Sequence, residues 1–76
     1  MREYLRYLRE INQISMQSAA NHIGISRQYY QQIEAGERQK KMDITLVTAL
    51  ASLFSVSVEE IISQESKINI RKTEEN

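Results

Sequence analysis

Short amphipathic stretches separated by polar punctuation make up nearly the whole chain. Met1, Tyr4, Leu5, Leu8 and Ile11 recur at the i, i+3, i+4, i+7 spacing of one helical face, with Arg2, Arg6, Arg9 and Glu10 off that stripe. "INQIS" breaks the rhythm, and Ser15 is suited to cap a second helix whose inward face is Met16, Ala19, Ala20 and Ile23. Gly24 follows where a helix end wants positive φ, and Ser26 can cap the next start, which leaves a tight turn of about three residues. The third helix is predicted over 27–34, with Gly36 ending it. Only Tyr30 and Ile33 fall on its inward face; Arg27, Gln28, Gln31 and Gln32 lie outside that stripe.

After the polar loop "GERQKK", Asp43 caps a fourth helix carrying Ile44, Val47, Leu50, Ala51 and Phe54 inward. Ser57 and Glu60 have capping-box spacing and open a fifth, with Val58, Ile61 and Ile62 facing the core. From Glu65 onward "ESKINIRKTEEN" is polar, which predicts a folded unit over 1–64 and a flexible tail over 65–76. The alternation in "INIR" is too short to define a strand. The expected fold is therefore all-α, a compact five-helix bundle.

Composition narrows the function. With 76 residues, 41% of them apolar and none of them proline, there is room for one small helical core. No cysteine and a single histidine leave no conventional metal-ligand spacing, so neither a metal nor a cofactor is expected. No apolar run approaches membrane-spanning length, and a cytoplasmic protein without membrane contact is expected. The sequence offers no nucleophile–base set, no carboxylate pair placed in a pocket and no Gly-rich phosphate loop, which argues against an enzyme. The net charge of zero conceals an asymmetry: residues 1–41 hold seven Lys/Arg against four acids, and residues 42–76 hold three against six. A basic first half can face a polyanion.

Two short helices joined by a tight glycine turn, the second polar on its outer face, describe a helix-turn-helix. With "LRYLRE", "ISMQSAANHIGIS", "RQYYQQIEAGER" and "LASLFSVSVEEII", the chain from Leu5 to about Ile62 resembles the XRE family of bacterial and phage repressors, whose fold is that of lambdoid repressors and Cro. The resemblance implies a lambda-repressor-like domain that binds double-stranded DNA. It places base contacts at Arg27, Gln28 and Gln32. The chemistry agrees: Arg can bond two acceptors of guanine and Gln can pair with adenine, each good pair giving about 1–3 kcal/mol of discrimination.

Tyr29 lies beside the readers and could touch a thymine methyl or a phosphate, while Gln31 reaches toward backbone or water. Arg38, Lys40 and Lys41 are expected along the phosphates. Family members commonly carry Gln at the first position of the first helix of the motif, where it binds phosphate and steadies the first residue of the recognition helix. Met16 stands there instead, so that clamp is either lost or passed to Gln17. Arg9 and Glu34 occupy positions where the family often has an ion pair between the first helix and the recognition helix. His22 is expected on the exposed side of the second helix, and Tyr4, Tyr7 and Tyr30 at packing positions.

The function expected is transcriptional regulation, most simply repression, by a homodimer on a palindromic operator. Phe54, Val56, Val58 and Ile62 are the candidate dimer surface. The alternative is an antitoxin or adaptor of the same fold whose main partner is a protein, such as a toxin.

Overall fold

The computed structural model describes the backbone of residues 1–75 and the side chains of residues 1–68. Five helices follow in order: α1 (Glu3–Ile11), α2 (Met16–Ile23), α3 (Arg27–Ala35), α4 (Ile44–Phe54) and α5 (Val58–Glu75). Among the described residues there is no strand. The fold is an all-α, lambda-repressor-like bundle.

Four of the five helices, α2 to α5, begin where a short polar side chain satisfies a free first-turn amide, whereas Arg2 before α1 makes no such side-chain cap. Ser15 Oγ accepts from the Ser18 amide at 3.0 Å, Ser26 Oγ from Tyr29 at 3.1 Å, Asp43 Oδ1 from Leu46 at 2.8 Å and Ser57 Oγ from Glu60 at 3.0 Å. The box at Ser57 is only half made, because the Glu60 carboxylate accepts from Gln64 instead. Gly24, at φ 88°, closes α2 in the left-handed region, which allows the chain to turn directly into the Ser26 cap. The turn between α2 and α3 is thus built from a residue that tolerates positive φ and one that caps the next helix.

The core consists of Leu5, Ala19, Ala20, Tyr30, Ile33, Leu46, Val47, Leu50, Ala51, Phe54 and Ile61. Ala19 and Ala20 are wholly buried, and their small size lets α2 approach α3 and α4 closely. Met16 packs against this core as a half-buried side chain, so at this position the thioether serves the interior.

Several expected placements differ. Phe54 is 3% exposed, in the core as its place on the inward face of α4 predicts, so it offers none of the dimer surface also expected of it; α4 turns it inward under α5. Tyr7 is 63% exposed, because two residues beyond the buried Leu5 correspond to 200° of helical rotation, nearly the opposite face. Met1, Ile11 and Ile44 are also exposed, and Leu46 takes the core position at the start of α4. Ile62 is 46% exposed, while its neighbour Ile61 is buried.

The largest departures are Arg2 and Glu65. Arg2 was expected off the apolar face and Glu65 at the start of a tail, yet they are 4% and 8% exposed and bonded to each other. The folded unit therefore extends beyond residue 64, with α5 running on to Glu75. Side chains 69–76, the greater part of the expected tail, lie outside the described residues. No single helix among the described residues is long and apolar enough to cross a membrane.

Candidate nucleic-acid interface

The exposed face of α3 is built by subtraction. Tyr30, Ile33 and Glu34 are buried, and helical geometry directs Arg27, Gln28 and Gln31 outward; all three are exposed. Gln32 is half-buried and accepts through Oε1 from Arg38 Nε at 3.2 Å. The loop after α3 thus reaches back over one predicted base reader, bringing two of the sequence-selected residues together. The second lone pair of the Gln32 oxygen and its amide N–H groups remain available to a base edge.

Tyr29, half-buried, accepts through its hydroxyl from Gln39 Nε2 at 3.0 Å, so it is fixed by the loop and leans toward the core. The same Gln39 accepts from the Asp43 amide, tying the loop to the start of α4. Gln39 itself sits at φ 56°, a left-handed conformation that few non-glycine residues adopt. Lys40 and Lys41 follow, both exposed. Gln17, considered above as a stand-in clamp, donates to Asn21 one turn along α2 at 2.9 Å.

Charge pairing concentrates the basic surface. Arg2 is neutralised by Glu65, Arg9 by Glu34 and Arg6 by Glu10, whereas Arg27, Arg38, Lys40 and Lys41 stay exposed around α3 and its loop. A chain of zero net charge therefore carries a local cationic surface beside its helix-turn-helix.

The inner side of α3 is held by a bidentate ion pair. Arg9 Nε and Nη2 donate to the two Glu34 oxygens at 3.1 and 3.0 Å, with side-chain exposures of 15% and 1%. The hydrogen bonds to Glu34 hold the Arg9 pKa above its ordinary value. Beside the pair, the Tyr30 hydroxyl is buried without a hydrogen-bond partner of good geometry among the described residues. Burial, reinforced by the Glu34 carboxylate, raises its pKa. An orphaned buried hydroxyl costs about 1–3 kcal/mol, so Tyr30→Phe is expected to leave stability unchanged or raise it by up to about 1 kcal/mol in urea denaturation.

Tyr4 responds in the same direction: burial first, then its hydrogen bond to Glu65, raises its pKa. Both phenols ionise more readily unfolded than folded. Their contribution is therefore complete below the ordinary tyrosine pKa of 10.0 and is lost as pH rises above it. Alkaline titration, followed by ultraviolet absorbance and circular dichroism together, is expected to show the Tyr4 and Tyr30 phenols ionising in step with unfolding.

Taken with the fold, this geometry defines a helix-turn-helix protein with a polar recognition helix and an adjoining cationic loop. A sequence model of the helix-turn-helix family matches residues 5–61, and the chain belongs to that family, the XRE or Cro/C1 type, whose members are DNA-binding transcription regulators. No curated protein and no solved structure shows significant similarity to the chain.

Proposed function

We propose that the chain binds a specific double-stranded DNA sequence as a transcriptional regulator, most simply a cytoplasmic repressor that occludes a promoter. The observation that carries this reading is the division of α3, with Tyr30, Ile33 and Glu34 committed to the fold and Arg27, Gln28 and Gln31 left outside it. An α-helix fits the major groove, and side chains near its N-terminus reach base edges. Arg27, Gln28 and Gln32 read bases in this proposal, Tyr29 and Gln31 assist, and Arg38, Lys40 and Lys41 meet phosphates.

One domain of this size has a small footprint, so two copies on a palindromic operator supply affinity and register. With Phe54 in the core, the dimer surface proposed is Ile62 together with the half-buried Val56 and Val58. The test is an electrophoretic shift with duplexes selected from a random pool. Binding of a selected palindrome well above random DNA is expected; equal affinity for both at every salt concentration would end the claim of specificity.

A second reading, an antitoxin or adaptor whose main partner is a protein, draws on Tyr7 and Ile11, exposed one turn apart on α1. A chain that prefers no duplex but forms a stable complex with a small toxin would favour it.

A further inference from the structure

The Arg2 guanidinium makes five hydrogen bonds. Nε and Nη2 donate to the Glu65 carboxylate at 2.8 and 3.1 Å, Nη1 to the carbonyls of Ile33 and Arg38 at 2.7 and 3.0 Å, and Nη2 also to the carbonyl of Gln39. Its own backbone amide donates to the Glu34 carbonyl at 2.8 Å. Tyr4 adds a hydrogen bond from its hydroxyl to the Glu65 carboxylate. One side chain thus joins the segment before α1, the end of α3, the loop and α5.

The two loop residues whose carbonyls it holds are those whose side chains touch α3. Arg38 bonds Gln32, and Gln39, at positive φ, bonds Tyr29. Lys40 and Lys41 follow immediately. Arg2 and Glu65 both lie outside the family-matched residues 5–61.

We propose that Arg2 and Glu65 form a clasp that positions the 37–41 loop, and through it Gln32, Tyr29 and the loop cations, for DNA. They are positioning residues that touch no DNA themselves. The inference rests on the DNA-binding reading above. Only a planar five-donor fork meets these acceptors at once; a lysine would keep the charge with three donors at one point.

Three variants test it: Glu65→Gln, Arg2→Lys and Tyr4→Phe, each measured against the selected duplex at a temperature where circular dichroism shows it folded. Glu65→Gln removes a negative charge, which alone would tighten binding to a polyanion. The clasp predicts the opposite, a loss of about tenfold or more, the equivalent of about 1.4 kcal/mol, with faster amide hydrogen exchange in residues 37–41. Arg2→Lys conserves charge and should show the same loss, while Tyr4→Phe should show a smaller one. If the first two do not fold, Tyr4→Phe decides through its affinity and loop exchange.

A role confined to stability would lower the melting temperature and leave affinity and salt dependence unchanged in folded protein. That result, or tighter binding by Glu65→Gln, overturns the clasp while leaving the DNA-binding reading intact. A wild-type chain that binds no duplex removes that reading, and the positioning role with it.

Discussion

Replacing Arg9 by alanine is expected to destabilise the protein by about 3–5 kcal/mol, because the Glu34 carboxylate is left buried with no counter-charge. Glu34 is 1% exposed and has no route to solvent without moving α3, whereas Arg9, at 15%, can turn outward. Glu34→Ala is accordingly expected to cost less than Arg9→Ala, and the double change less than the sum of the two. A domain this small has a total stability of about 3–5 kcal/mol from its core, so Arg9→Ala should be largely unfolded in plain buffer. Urea melts in a stabilising osmolyte make it measurable. Losses that add without coupling would mean that the pair contributes nothing jointly to fixing α3.

The second large effect is on binding. Arg38, Lys40 and Lys41 beside α3, doubled in a dimer and joined by first-turn amides, give a phosphate-contact number in the range for which affinity falls by about 10³–10⁵ between 50 and 200 mM salt. Titrations of a labelled operator over that range are expected to show this loss. Lys40→Ala and Lys41→Ala should each flatten the logarithmic slope by about one per contact removed and weaken all sequences alike. A slope near zero in wild type would place the loop cations away from DNA.

The legible part of this fold is the part written locally. Ser15, Ser26 and Asp43 each stand at the residue immediately before the helix they cap, and Gly24 and Gly36 stand where the backbone needs positive φ. Helical periodicity likewise identifies Tyr30 and Ile33 as the anchors of α3 and Arg27, Gln28 and Gln31 as outward, while Gln32, assigned to the same outward set, is half-buried. Arg9 with Glu34 followed from family position, since nothing in the residues between them indicates that they meet.

What escaped was long-range and polar. Arg2 and Glu65 are 63 positions apart, and a rule that turns apolar residues inward sends both to solvent. The burial of Arg2 depends on carbonyls that converge only after α3 and its loop have folded. A charged residue immediately before a helix, where periodicity does not apply, was the one available hint. Periodicity places Phe54 inward, but its second assignment, to a dimer surface, is overturned because surplus apolar area in the closing helices divides between core and surface only once α5 covers α4. Glu34 sits on the same inward face of α3 as Tyr30 and is drawn in by its partner.

The base-reading role of α3 is tested most directly by in vitro selection of bound duplexes from a random pool, run in parallel for wild type, Gln28→Ala and Gln32→Ala. Each variant is expected to keep the overall site and spacing while losing preference at particular base positions, the same in both half-sites. If both variants instead select the wild-type sequence with a uniform drop in affinity, these amides contact only the DNA backbone, and α3 does not read bases through them.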